Sequence, residues 1–262
     1  MIGKADKSNN TAGSVSDFLK VLAALDLDDS WVFRGQGQEW SLLPKVVREQ
    51  PGTDWASREE KMMSEFARRV SAFLGNSTTE PWDLLALAQH HGVPTRLLDW
   101  SRGALTALWF AVREPKKPEW TTPSVVWALP LKNDDWLNTR ESSAKPYQLG
   151  GTRFIEPFHI SPRIGAQDGV FSVHQFAKKA DQFIALDKNT KFNSRLKKIE
   201  IPIKDREKIR ARLRLLGVHA ATLFPDIGGL AEYISEKYKF KSRVVNLSAT
   251  GSVSVSSLLH SR

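Results

Sequence analysis

A glycine and a proline two residues apart, Gly92 and Pro94, constrain this chain more than any other feature. They sit inside the run Gln89-His-His-Gly-Val-Pro-Thr-Arg-Leu-Leu-Asp-Trp-Ser-Arg-Gly-Ala-Leu-Thr-Ala-Leu-Trp-Phe-Ala-Val112. Gly92 predicts the end of a helix, while Pro94 forbids its immediate resumption and biases Val93 towards extended backbone. A short polar-studded segment, Thr95 to Trp100, leads into a second apolar helix starting near Ser101. Arg96, Asp99, Ser101 and Arg102 are thereby pinned between two hydrophobic helices. Packed elements on both sides fix such polar groups in place, which favours function.

The other segments read as an α+β chain. Residues 1–13 are polar and aperiodic and are expected to form a flexible leader. Ser16 is expected to cap a helix to about Leu25, followed by a strand Trp31-Val-Phe-Arg-Gly-Gln36. Ser57 and Glu60 have capping-box spacing ahead of Met62, Phe66, Val70 and Phe73 at helical intervals. A helix over 79–91 carries Trp82, Leu85 and Ala88 on one face, and Ser101 can cap the next, closed by Pro115 and Pro118. Ser124 to Leu131 is a strand, 133–151 a loop and Arg153 to Ile160 a further segment. Strands are then expected at Val170 to His174, Phe183 to Leu186 and Leu196 to Ile203. Asp205 starts a basic helix with Ile209, Leu213 and Leu216 inside, ended by Gly217. A last helix carries Ile227, Leu230, Ile234 and Tyr238. Helices concentrate early and strands late, so the expected fold is one α+β domain over 14–243, with helices on a mixed, mostly antiparallel sheet and a polar tail over 244–262.

Composition narrows the chemistry. The 262 residues include no cysteine, which excludes disulfides, thiolate metal sites and cysteine nucleophiles. No apolar run reaches the roughly 18 residues of a spanning helix, so no membrane partner and a cytoplasmic setting are expected. The net charge of +9 is concentrated: residues 188–214 hold eleven Lys or Arg against three acids. Lys197, Lys198, Arg206, Arg210, Arg212 and Arg214 form its centre, and such a stripe either attracts nucleic acid or another anionic ligand or is a solvated helix face. His90 and His91 are neighbours on a helix and point about 100° apart, so they cannot easily share one metal ion. No HExxH, Walker-type loop or GxSxG elbow is present, and no metal is expected.

A distributed polar set remains. Arg34 interrupts an apolar strand, and a buried arginine needs either a structural partner or an anionic ligand. Thr95 to Ser101 occupy the junction, and Gln167 lies in a later turn beside Gly169 and Phe171. Asp99 can pair with Arg34 or Arg96 as buried charge, Trp100 can be core or a stacking platform, Thr95 can cap, and Gln167 can bond its own turn.

Phe33-Arg34-Gly35, the block His90-His-Gly-Val-Pro-Thr-Arg-Leu-Leu-Asp-Trp-Ser101 and Ala107-Leu-Trp-Phe-Ala111 resemble the FRG domain, a bacterial and phage family named for its first motif. Gln167-Asp-Gly-Val-Phe171 and Leu223-Phe-Pro-Asp-Ile-Gly-Gly-Leu230 are similar to further segments of that family. The resemblance implies a domain of mobile elements and anti-phage contexts, with an antitoxin or defence partner. A looser resemblance is to the ADP-ribosyltransferase fold and its split sheet. It implies that Arg34 holds the phosphates of NAD through a bidentate fork, that Ser101 supports the nicotinamide pocket, and that Gln167 stands where that family has a catalytic glutamate. Phe33, Gly35, Gln36, His91, Thr95, Arg96, Asp99, Trp100, Gly169 and Phe171 would line the same site. Glutamine bonds a ribose hydroxyl but supplies no negative charge, so Glu156 or Asp168 are the other carboxylates to consider. Two functions follow: NAD-dependent ADP-ribosyl transfer to a nucleic acid or protein, as a toxin or defence effector, or non-catalytic binding of nucleic acid or a nucleotide.

Overall fold

A computed structural model describes residues 10–48, 54–74, 80–113, 121–139, 145–157, 162–177 and 182–238. Six strands make the main sheet: β1 (Trp31–Gln36), β2 (Leu97–Ser101), β3 (Ser124–Pro130), β4 (Arg153–Ile155), β5 (Gly169–Val173) and β8 (Lys197–Ile201). Their order is β4-β5-β2-β1-β3-β8, and every ladder is antiparallel. Two short strands, β6 (Phe176–Ala177) and β7 (Gln182–Phe183), pair separately. The helices are α1 (Val15–Ala23), α2 (Lys45–Arg48), α3 (Trp55–Leu74), α4 (Pro81–His90), α5 (Ala104–Val112), α6 (Pro162–Ala166), α7 (Arg206–Leu215), α8 (Ala220–Leu223) and α9 (Ile227–Lys237). The expected α+β architecture is present.

One seam in this sheet positions the site. β1 runs beside β3 along its whole length, from Trp31↔Pro130 to Gln36↔Val125, but meets β2 in register only at Phe33↔Ser101. The sheet is therefore two three-stranded halves, β4-β5-β2 and β1-β3-β8, joined at one point. The covering layer divides the same way. Alternation puts Phe33 of β1 and Leu97 of β2 on one face. There α1, α5, α7 and α8 cover the β1 half around Phe18, Phe33, Trp109, Ile199 and Leu213, while α3 and α4 cover the other half around Met63, Leu85, Leu97 and Phe171. The opposite face packs Val32, Leu98, Trp100, Phe154 and Phe192 beneath loops. Both outer strands are also covered: residues 10–12 lie against β8, with the Ala12 N–H donating to the Glu200 carbonyl at 2.9 Å, and Trp136 bridges to Phe154 of β4.

Several local expectations are corrected. Thr95 to Trp100 is not an irregular link, since Leu97–Ser101 is a central strand. Its apolar residues are buried between helices and core, and its polar residues take the alternate positions of a seam. Ser14, not Ser16, caps α1, accepting the Asp17 N–H at 3.1 Å. Helix α3 begins at Trp55, which places Ser57 and Glu60 inside it, and Met63 rather than Met62 is buried while Phe73 is 86% exposed. Residues 10–12 belong to the fold rather than to the leader. Leu216 and the row Ile227, Leu230 and Ile234 face solvent, because α9 turns Gly229, Glu232 and Tyr233 inward instead. The segment expected over 153–160 is a strand only to Ile155, and Leu186 opens a 3-10 turn rather than ending a strand. Pro115, Pro118, Ile160 and the tail 244–262 lie outside the described residues.

Candidate functional site

Gly35 shows why β1 carries a glycine next to its arginine. A Cβ placed there would lie 1.8 Å from the Ala107 carbonyl oxygen and 2.6 Å from the Ala111 nitrogen, so α5 rests directly on the β1 backbone. Gly92 likewise meets its expectation: it takes φ 92° just after α4, and the Gly92 and Val93 N–H groups close the helix on Gln89 and Ala88. These two contacts seat α5 on the β1 backbone and end α4 just before β2.

Arg34 spans the seam. Its side chain is 14% exposed, its Nη1 donates to the Asp99 carbonyl at 2.6 Å, and the Asp99 carboxylate stands 3.8 Å away. Its Nε is buried without a hydrogen-bond partner among the described residues. Burial pulls the Arg34 guanidinium down to about 10, and Asp99 only partly restores it. Asp99 turns to the α4 side of β2, with 62% of its side chain exposed. It is oriented by a relay in which the Thr95 hydroxyl donates to Gln89 Oε1, and Gln89 Nε2 donates to Asp99 Oδ1 at 3.0 Å. The site is thus a buried cation with one unsatisfied donor beside an accessible carboxylate.

The other expected site residues divide clearly. Ser101 and Gln167 do meet: the Ser101 hydroxyl donates to the Gln167 carbonyl at 2.6 Å, and Gln167 Nε2 donates to the Leu223 carbonyl at 2.9 Å. Both side chains therefore tie β2 and α8 to the turn before β5. Ser101 also receives the Gly103 N–H at 2.9 Å, but α5 takes Gly103 as its N-cap, so Ser101 is not the cap itself. Arg96 is spoken for. It sets three nitrogens on the buried Glu59 carboxylate (backbone N 2.6 Å, Nε 2.8 Å, Nη2 2.7 Å) and a fourth on the Pro146 carbonyl, and Tyr147 covers its guanidinium at 4.5 Å. Phe33, Trp100 and Phe171 are core; the Trp100 indole donates to Ser172 at 3.1 Å. Gln36 is buried and accepts from the Trp127 indole at 2.8 Å. Gly169 packs on Ile164, and His91 is an exposed helix-end residue capping α4. Glu156 and Asp168 both face Arg102.

The basic stripe is only partly a surface. Lys198 pairs with Glu39 at 3.0 Å and Glu200 at 2.8 Å, Arg206 donates to the Gly37 and Thr122 carbonyls, and Arg210 to that of Val112. Lys191 and Arg195 converge on the buried Asp135. Lys197, Lys204, Lys208 and Arg212 are exposed, and the last three, four residues apart, share one side of the α7 region.

Outside the expected site set, His90, Arg163 and Asp226 form a further group of charged or titratable side chains. Their charges act on one another, and Arg163 also on Asp99. Only fold-level proximity brings them together. Among the described residues, no group of three or more His, Cys, Asp or Glu is arranged to hold a metal ion, and no helix is long and apolar enough to cross a membrane.

A family model described as the FRG domain matches residues 29–119, the segment from just before β1 to just beyond α5. No curated protein and no solved structure matches the chain.

Proposed function

We propose, on the match of residues 29–119 to the FRG domain, that the β1–β2 seam of this chain binds an anionic nucleotide of the NAD class and serves ADP-ribosyl transfer. The observation that carries this reading is Arg34, an almost buried guanidinium whose Nε has no hydrogen-bond partner among the described residues and which stands 3.8 Å from the Asp99 carboxylate. A charge so placed is relieved by a phosphate, whose oxygens accept the fork of N–H groups. Asp99 takes the role first assigned to Gln167. Its exposed carboxylate can accept from a ribose hydroxyl and stabilise positive charge growing at the ribose carbon as the bond to nicotinamide breaks. Nicotinamide leaves with the bonding electrons, and the acceptor bonds to the same carbon and loses its proton. A toxin or defence effector working in the cytoplasm, restrained by an antitoxin or defence partner, is the setting this proposal implies.

The test is incubation of the full chain with labelled NAD and an RNA, DNA or protein acceptor, alongside Arg34→Ala and Asp99→Asn. The expected result is nicotinamide release by the wild type, loss of NAD binding in Arg34→Ala, and retained binding without turnover in Asp99→Asn. Absence of both NAD binding and turnover in the wild type would discard the reading.

A second reading, a non-catalytic nucleic-acid module, is favoured by the exposed row Lys204, Lys208 and Arg212, which offers three cations at one-turn intervals.

A further inference from the structure

Helix α9 carries its large apolar residues outward and its paired charge inward. Ile227, Leu230, Ile234 and Tyr238 remain between 46% and 88% exposed, while Glu232 gives both carboxylate oxygens to Arg113 and Tyr233 stacks on His219 at 4.3 Å. At about 100° per residue, the four apolar side chains and the exposed Ala231 form one stripe about 100° wide, with Gly229, Glu232 and Glu236 behind it. The helix cannot roll to bury that stripe. A Cβ on Gly229 would lie 2.0 Å from the Phe224 carbonyl oxygen, so α9 rests on the backbone that precedes it, and Asp226 caps its start by accepting the Gly229 N–H at 2.8 Å. An apolar stripe held outward by fixed contacts offers a surface for a second helix.

The charges at its two ends select that helix. Asp226 and Lys237 are both exposed and stand eleven residues apart, about 16 Å along the axis. Set antiparallel to a second α9, the stripe is its own complement: Leu230 meets Ile234 of the second copy, Ile227 meets its Tyr238, and Asp226 meets its Lys237. A parallel pairing would instead set Asp226 beside Asp226 and Lys237 beside Lys237, and would align the two helix dipoles. We propose that the outer face of α9 is the interface of a homodimer, two copies packed through antiparallel α9 helices about a two-fold axis. The inference does not depend on the β1–β2 seam binding a nucleotide. Four large side chains per copy belong to the small class of specific interface, below about 1,200 Å² in total, and imply a dissociation constant on the order of 10 μM.

Sedimentation equilibrium of the full chain over about 1 to 200 μM tests it. The wild type is expected to pass from monomer to dimer across that range, with no larger species. Leu230→Glu, which sets a charge at the centre of the pairing, is expected to stay monomeric throughout. Ile227→Glu, at a position 88% exposed, gives the same readout should Leu230→Glu not fold. Lys237→Glu sets like charges at both ends and is expected to weaken the dimer about tenfold; adding Asp226→Asn, which keeps the helix cap, restores part of it. A wild type that is monomeric at every concentration overturns the inference and leaves the stripe to another occupant, residues 239–262 or a different protein. A dimer unchanged by Leu230→Glu and Ile227→Glu overturns it too, because the contact then lies elsewhere. Dimers equally tight in wild type and Lys237→Glu overturn the antiparallel register.

Discussion

Replacing Gly35 by alanine sets a methyl group 1.8 Å from the Ala107 carbonyl, and backbone on both sides leaves no flexible side chain to yield. The expected cost is about 3 kcal/mol, read as a lowered urea midpoint with an unchanged slope. Beside Arg34, Gly35 is therefore a packing residue and not a ligand contact. His174 makes a different prediction. It is buried, its Nδ1 bonds the Ile184 carbonyl at 3.0 Å and its Nε2 meets the Ser172 hydroxyl at 3.1 Å, and burial pulls it down to about 4. The unfolded chain takes up this proton near pH 6.5 and the folded protein does not until about pH 4, so the contribution is intact above 6.5 and is lost as pH falls through that window. Chemical denaturation of wild type and His174→Asn should show a difference of about 3 kcal/mol in how far stability falls between those limits. Equal falls would assign the acid sensitivity to other groups. The sequence made Arg34 legible, because one charge stood inside an apolar strand. It could not separate Arg34 from Arg96, since the partner that neutralises Arg96 is Glu59, 37 residues upstream on helix α3.

At the level of elements, β1, β3 and β5 announced themselves through β-branched and aromatic runs, and α4 through Trp82, Leu85 and Ala88 with its glycine stop. Strand β2 did not. A strand at a seam carries Leu97 and Leu98 towards two cores and leaves Asp99 open, so neither clean alternation nor a continuous apolar run marks it. The last helix misled for the opposite reason: an apolar row at helical spacing predicts an inner face, yet Ile227 is 88% exposed because the Arg113–Glu232 pair and the His219–Tyr233 stack fix the other side of α9 inward. For α7, charge counting saw a stripe where packing leaves a row. If nucleic acid binds there, changing Lys204, Lys208 and Arg212 together to glutamine should reduce the slope of log affinity against log salt by about 2 to 3, whereas changing Lys198, already paired with Glu39 and Glu200, should leave it nearly unaltered. Filter binding across a salt series reads both, and equal slopes would return the row to plain solvation.

On the scale of the whole molecule, two sheet halves with separate helical covers meet at Phe33↔Ser101. The FRG match spans β1, β2 and α5, so the matched segment contains the seam, Arg34 and Asp99, whereas Arg163 and Asp226 come from beyond it. Sequence distance hid the grouping of His90, Arg163 and Asp226, which only the fold brings about. The proposed function turns on whether the Arg34 guanidinium is a waiting contact or a finished one. The Nε–H resonance of Arg34, assigned by its disappearance in Arg34→Lys, reports on that atom directly. Titration with NAD is expected to move it downfield and to saturate, as a buried donor gains a phosphate acceptor. A resonance that holds its position through millimolar NAD and pyrophosphate would show that Arg34 only ties the two halves of the sheet together.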